Sequence, residues 1–289
     1  MYTVSLIARP DGLDQTVDKG LSDAWSGSAL HWLSQEEAAE FTDGAAPENL
    51  WQIWEKAQAE GVDLVLQQTQ GRRKSMLLAD MDSTMIGQEC IDELADEAGV
   101  GDHVKDITAR AMNGELDFEA ALIERVGLLK GLDAGIIQQV FEERITFTPG
   151  GKTLIATMAA NGGYAALVSG GFTAFTVRVA TALGFDEHRA NTLLEENGAL
   201  TGEVGRPILG REAKVQALRA IAKARGLTPQ KVIAVGDGAN DLGMLGLAGA
   251  GVALHAKPVV AAECDIRINH GDLRALLYLQ GYRRDQFVE

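Results

Sequence analysis

From residue 76 onward the chain repeats one pattern: a short apolar run, polar residues just after its end, then a longer stretch of helical spacing. Met76–Ala79 runs into Asp80, Tyr164–Val168 into Ser169-Gly170-Gly171, and Lys231–Val235 into Gly236-Asp237-Gly238. Gly251–Leu254 and Ile266–Ile268 are further runs of this kind. The intervening segments 153–161, 172–183 and 211–225 have helical length and spacing, and shorter segments fill 190–205. The pattern predicts strands alternating with helices. Alternation of this kind yields a parallel sheet, because each crossover helix must cover a sheet face. Ligands in such sheets bind beyond the carboxyl ends of the strands. Asp80, Ser169 and Asp237 all fall there, so residues far apart in sequence are expected to meet in one crevice. Residues 88–142 interrupt the alternation with helical spacing broken at Gly99–Gly101, Gly114 and Gly131. This block reads as an inserted helical subdomain.

Residues 1–70 read as a separate small α/β unit. Strands are expected at Val4–Ala8, Ala29–Leu33 and Val62–Gln67, with one more near Phe41 and helices over 13–25 and Ala46–Glu60. The alternation in Val62–Gln67 predicts a half-buried strand. Gly71-Arg72-Arg73-Lys74 looks like a linker. The expected division is a small α/β N-terminal domain over 1–72 and a second domain over 73–289, with the helical cap at about 86–148.

The chain has 289 residues and a net charge of −15. Such a charge is repelled by nucleic-acid phosphates and anionic membrane surfaces, so neither is an expected partner. An anionic substrate would need local cations. Cys90 and Cys264 stand in no metal-binding spacing; one disulfide could form arithmetically, but two reduced thiols fit a reducing compartment. No run approaches the ~18 apolar residues of a membrane span. The start, MYTVSLIARPDGLDQ, lacks a basic region followed by a long apolar stretch. A soluble, cytoplasmic protein is expected.

Four local features carry chemistry. Asp80 and Asp82 follow a buried strand directly. Asp237, Asn240 and Asp241 follow another, in a glycine-rich turn that lets a ligand approach the backbone. Ser169 and Gly170 precede a helix whose free N–H groups suit an anion. Lys214 stands near the start of a helix. Each alone also fits an ordinary role: a helix cap, a turn or a solvated surface charge. Together, the carboxylates are hard oxygen ligands suited to Mg²⁺. Ser169 and Lys214 would form the anion cradle that an acidic chain needs.

These motifs, in this order, resemble the haloacid dehalogenase superfamily: Asp-x-Asp-Ser-Thr, Ser-Gly-Gly, a lysine, then Gly-Asp-Gly-x-Asn-Asp, spanning about 76 to 270. The resemblance implies a Rossmann-like parallel sheet core with an inserted helical cap. Within the superfamily the residues are most similar to the phosphoserine phosphatase family. Glu89 stands nine residues after Asp80, Arg125 lies within the helical block, and Met112 and Phe118 match the family's apolar cap contacts. The implied reaction hydrolyses O-phospho-L-serine to L-serine and phosphate through an aspartyl phosphate, the last step of serine biosynthesis. Asp80 would be the nucleophile and Asp82 the acid and base. Asp80, Asp82 (through its backbone carbonyl) and Asp237 would hold Mg²⁺, with Asp241 supporting them from behind. Ser169, Gly170, Lys214 and Asn240 would contact phosphate. Arg125 would grip the substrate carboxylate and Glu89 its ammonium.

Two rival readings stand beside this one. Relatives of the same fold transfer phosphate to an alcohol such as homoserine, and the motifs do not separate the two. Residues 1–70 also weakly resemble an ACT-like ligand-binding module by element order. That allows a regulatory or dimerising role beside an active enzyme, a homodimer, or a non-catalytic amino acid sensor. An inert chain would be expected to lack the nucleophile or the lysine, and here both are present.

Overall fold

The computed structural model describes residues 1–14, 29–113 and 115–289, apart from the side chain of Met112. The N-terminal residues form an antiparallel sheet of β1 (Tyr2–Ala8), β2 (His31–Ser34), β3 (Ala38–Asp43) and β4 (Val62–Gln68), in the order β2-β3-β1-β4. The strand expected near Phe41 is β3. The helix expected over 13–25 lies outside the described residues, apart from Leu13 and Asp14. Helix α1 (Leu50–Ala59) starts after Pro47, later than anticipated, and covers one sheet face. There Ile53 and Ala57 pack with Val4, Leu6, Phe41 and Leu64.

The other face of this sheet is also covered. Ile7, Leu33, Ala38 and Val65 join one core cluster with Leu273, Leu276 and Tyr278. The half-buried reading of Val62–Gln67 is therefore corrected: the first four residues of β4 are all buried. Asp63 is buried because its carboxylate has partners there. It accepts backbone N–H bonds from Asn269 (2.8 Å), His270 (2.9 Å) and Gly271 (2.9 Å), and another from Gln58 Nε2 (3.1 Å). A buried carboxylate is tolerated when its lone pairs are satisfied in this way. The segment 71–74 is likewise tied down: Arg72 pairs with Glu40, the Arg73 guanidinium lies 3.9 Å from the Tyr282 ring centre, and the Lys74 N–H bonds Gln280.

The main sheet is parallel throughout. Its strands are β5 (Met76–Ala79), β6 (Tyr164–Phe172), β7 (Glu187–Asn191), β10 (Val232–Gly236), β11 (Ala250–Leu254) and β12 (Ile266–Ile268), in the order β12-β11-β10-β5-β6-β7. β8 (Leu193–Glu196) and β9 (Ala199–Val204) form a separate hairpin. The short apolar runs have a physical cause: Leu77 and Ala79 enter one core cluster and Met76 and Leu78 another, so β5 is buried on both faces. β5 and β10 are neighbours at the centre, which sets Asp80 beside Asp237.

Between β5 and β6 the chain forms α2 (Cys90–Glu97), α3 (Gly101–Met112), α4 (Phe118–Gly127) and α5 (Ile136–Glu143). The segments entering and leaving this helical block lie together: Ile86 bridges Phe147, and Thr148 N–H bonds Met85 O at 3.0 Å. Asp117 caps α4 by accepting from the Ala120 N–H. Helices α6 (Gly151–Ala160), α7 (Thr173–Leu183), α8 (Arg211–Ala224) and α9 (Leu242–Leu247) flank the main sheet. Cys90 and Cys264 are both buried and free. Among the described residues no helix is long and apolar enough to cross a membrane.

Replacing Asp63 by Ala strands three backbone N–H groups in a dry interface, since Asp63 itself is fully buried. The expected loss is roughly 2–4 kcal/mol of unfolding free energy, read from urea denaturation. A loss well under about 1 kcal/mol would show that the loop at 269–271 is held by other contacts.

Candidate active site

The turn after β5 is built on Met81. Its carbonyl accepts N–H bonds from Thr84, Met85 and Ile86, folding the chain back over the strand end. This requires Ser83 to take a left-handed conformation, with φ +53°. A non-glycine residue there is strained and needs support, which here comes from the Ser83 Oγ bond to Glu89 Oε1 at 2.7 Å. Asp80 and Asp82 are thereby buried at the mouth of the sheet. Asp82 Oδ1 accepts from the Cys90 N–H (2.9 Å) and Oδ2 from Ser169 Oγ (3.1 Å). Burial raises the Asp82 pKa, against the pull of these hydrogen bonds.

The Ser169-Gly170-Gly171 segment departs from expectation in one respect. The strand does not end at Val168 but continues to Phe172, and its pairing with β7 skips from Val168 to Phe172. The three residues bulge out of the ladder toward the site. Ser169 Oγ also accepts from the Gly171 N–H at 2.8 Å. Glycine is required here by close approach. A Cβ on Gly171 would stand 2.6 Å from Asp82 Oδ2, and one on Gly170 would stand 2.6 Å from the Phe118 ring.

Lys214 is almost fully buried, and its ammonium lies 2.6 Å from both Asp80 Oδ1 and Asp241 Oδ1. Burial lowers its pKa, but Asp241 and Asp80 together more than reverse this and raise it. Asp241 Oδ2 accepts from the Gly238 N–H at 3.1 Å, which closes the Gly-Asp-Gly turn. Asp237 Oδ1 accepts from Thr84 Oγ1 at 3.3 Å. Its Oδ2 is buried without a hydrogen bond, with Lys257 Nζ at 3.8 Å, and Asn240 Oδ1 is also buried and unpartnered.

Asp80, Asp237 and Asp241 each bring a carboxylate oxygen within 4.8 Å of the others, all buried. One buried ammonium among three carboxylates leaves the cluster short of positive charge. Burial, and then Asp241, push the Asp80 pKa well up and the Asp237 pKa up to about 7. Under-compensated hard oxygens with an unpartnered lone pair fit a divalent cation. The Asp82 carboxylate does not join this cluster, since both its oxygens accept bonds elsewhere.

The helical block lies over a pocket at the mouth of the sheet. Asp80, Asp82, Glu89, Phe118, Arg125, Ser169, Gly170 and Asn240 all line it, together with Ile91, Leu122, Gly171 and Phe172. Arg125 is buried, donating from Nε to Ala121 O and from Nη1 to Thr108 Oγ1. Burial lowers its pKa, while Glu89 and Asp92 pull it up. Burial, Asp82 and Asp237 push the Glu89 pKa up to about 8. The Met112 side chain lies outside the described residues. The pocket thus brings Asp80 and Asp82 together with Glu89 and Arg125, while Asp237, Asp241 and Lys214 are not among its lining residues.

The model of the haloacid dehalogenase-like hydrolase family matches residues 77–246. The chain belongs to this family. A curated relative from Archaeoglobus fulgidus, named phosphoserine phosphatase, is 42% identical over 246 residues, covering 84% of this chain and 69% of its own. A solved family hydrolase from Salmonella enterica serovar Typhi superposes with a TM-score of 0.86 at 30% identity, covering 96% of this chain and 98% of that one. A structure of a phospho-aspartyl intermediate analogue of phosphoserine phosphatase superposes with a TM-score of 0.68 at 42% identity, covering 71% of this chain and 98% of that one.

Sequence reasoning missed Ile91, Leu122 and Phe172 as lining residues, because an apolar residue facing a ligand looks like one facing the core. It also missed Thr84 and Lys257 beside Asp237. Thr84 could have been found, as the last residue of the Asp-x-Asp-Ser-Thr motif of this hydrolase family.

The raised Asp237 pKa fixes the sign of a pH effect. Without metal, the folded chain binds this proton more tightly than the unfolded chain, so stability is fullest in acid and falls as pH rises through about 7. In chelator, the melting temperature should therefore fall between about pH 5 and pH 8, and added divalent cation should raise it most at the upper end. Calorimetry across this window tests both. A melting temperature that climbs with pH and ignores the cation would remove the metal pocket.

Proposed function

We propose that this chain is a phosphoserine phosphatase, hydrolysing O-phosphoserine to serine and phosphate. One observation carries the reading: a single pocket is lined by Asp80, which touches Lys214 and belongs to the carboxylate cluster, and also by Glu89 and Arg125. A phosphate ester of an amino acid has matching groups: a carboxylate for Arg125, an ammonium for Glu89, and a phosphoryl group for which Lys214 and a cation held by the carboxylates would supply positive charge. The curated relatives named phosphoserine phosphatase support the same conclusion.

In this reading Asp80 attacks phosphorus, forming an Asp80–phosphoryl bond as the bond to the serine oxygen breaks. Asp82, whose burial favours the protonated form, gives a proton to the departing serine oxygen and later takes one from the water that hydrolyses the aspartyl phosphate. Lys214, whose ammonium already touches Asp80, neutralises the nucleophile's surroundings and meets the phosphoryl oxygens. The Gly170 N–H, Ser169 Oγ and the Asn240 side chain cradle the remaining oxygens. Arg125 binds the substrate carboxylate and Glu89 its ammonium. Mg²⁺, held by Asp80, Asp237 and the Asp82 carbonyl with Asp241 behind them, would supply positive charge that lets carboxylate and phosphate approach.

The same reading takes the chain to be cytoplasmic. Residues 1–72 would serve as an ACT-like regulatory or dimerising domain beside the phosphatase domain at 73–289, in a homodimer. A helix on one face of a four-stranded antiparallel sheet supports this.

Asp80→Asn should reduce phosphoserine turnover on the order of 10³-fold or more, measured as released phosphate. Because the replacement removes a buried negative charge from a crowded cluster, the metal-free variant should melt no lower than the parent. Turnover close to that of the parent would remove Asp80 as nucleophile. Arg125→Ala should weaken phosphoserine hydrolysis at least about tenfold more than that of an aryl phosphate without a carboxylate. Equal losses on the two substrates would remove Arg125 from head-group recognition.

A further inference from the structure

We propose that Thr108, held by Asp92, is a positioning residue that aims Arg125 at the substrate carboxylate. The inference rests on the head-group role given to Arg125 above. Asp92 lies on α2, Thr108 on α3 and Arg125 on α4, so the chain of bonds joins three helices of the inserted block. Thr108 Oγ1 donates to Asp92 Oδ1 at 2.6 Å, and Arg125 Nη1 donates to Thr108 Oγ1 at 2.9 Å. A hydroxyl has one proton to give. With that proton directed at Asp92, the oxygen's lone pairs are directed at Arg125, and the polarity of the chain is fixed.

The consequence lies in which donors of Arg125 remain. A guanidinium has five N–H donors in a rigid plane. Nε is committed to Ala121 O at 3.1 Å and one Nη1 hydrogen to Thr108. Three N–H donors are left, two on Nη2 and one on Nη1. Nη1 and Nη2 can thus each still offer a donor to a carboxylate, and Arg125 lines the cavity. Neither Thr108 nor Asp92 lines it, so any effect of Thr108 on substrate passes through Arg125. Thr108 is buried at 3% exposure, and the hydroxyl is a polar group that an apolar isostere could replace without changing the shape.

The test is steady-state kinetics of Thr108→Val, Thr108→Ser and Arg125→Ala on phosphoserine and on an aryl phosphate without a carboxylate. Thr108→Val keeps the volume but leaves Arg125 Nη1 without its acceptor. We expect KM for phosphoserine to rise on the order of tenfold with kcat nearly unchanged, and aryl phosphate kinetics to stay within about twofold. Thr108→Ser restores the hydroxyl and should recover most of the phosphoserine KM. Aryl phosphate turnover by the same sample reports a folded site. Selective loss in Arg125→Ala with no change in Thr108→Val would overturn the positioning role and leave the head-group reading standing. Equal loss on both substrates in Thr108→Val would also overturn it, marking a structural defect. Equal losses in Arg125→Ala would overturn the head-group reading itself, and the positioning role with it.

Discussion

The structure turns on the burial of one ammonium between two carboxylates. Lys214 at 2% exposure would ordinarily be an expensive residue, and Asp80 and Asp241 beside it equally so. The ammonium is tolerable because carboxylates flank it, and the carboxylates because it stands between them. The three come from a strand end, a helix and a glycine-rich turn, so the charge triad fixes the relative positions of β5, α8 and the turn after β10. The triad is nevertheless incomplete. Asp237 adds a third carboxylate with an unpartnered oxygen, and burial, then the crowding of negative charge, raises the carboxyl pKa values. An acidic protein thus keeps a site that is unstable alone and best satisfied by a cation together with a phosphoryl group. Binding energy for both is stored as electrostatic crowding in the folded chain.

How much of this was legible depended on which physical signal each residue leaves. β5 was read without error because four apolar residues buried on both sides leave an uninterrupted run, and the acidic residues after it cannot belong to the core. The convergence of Asp80, Ser169 and Asp237 followed from the parallel alternation alone. The end of β6 was misread because Ser169-Gly170-Gly171 has the composition of a turn, whereas the residues continue the strand as a bulge held by Asp82 and Gly171. Asp63 defeated the period-2 reading for a related reason. Its partners are backbone N–H groups more than 200 positions away, and no local pattern reports a distant donor. Thr108 left no trace at all, since a threonine within a helix is usual on a surface and its bonds to Asp92 and Arg125 depend on how three helices pack.

The inserted helical block closes the site by shape as well as charge. Phe118 from α4 packs against two glycines of the main body. A Cβ at Gly170 would come within 2.6 Å of its ring and one at Gly210 within 3.2 Å. The aromatic ring therefore fits only because both positions lack side chains. Phe118 comes from the first turn of the helix that carries Arg125, so a rigid movement of α4 would withdraw the plug and the guanidinium together. Glu89 behaves differently. It sits at the N-terminal cap of α2, only a few residues past the Ile86–Phe147 bridge, and is tied to Ser83 in the catalytic turn. Motion of the block about that bridge would leave Glu89 close to Asp82 while carrying Arg125 away. The two halves of the amino acid head group would then be met in sequence, the ammonium by a residue anchored to the sheet and the carboxylate by one that arrives with closure. An ester lacking the carboxylate would give Arg125 nothing to hold, and closure would rest on Phe118 alone. On the proposed reading, discrimination among phosphate esters would rest on how firmly the block closes, more than on how well the phosphate is bound.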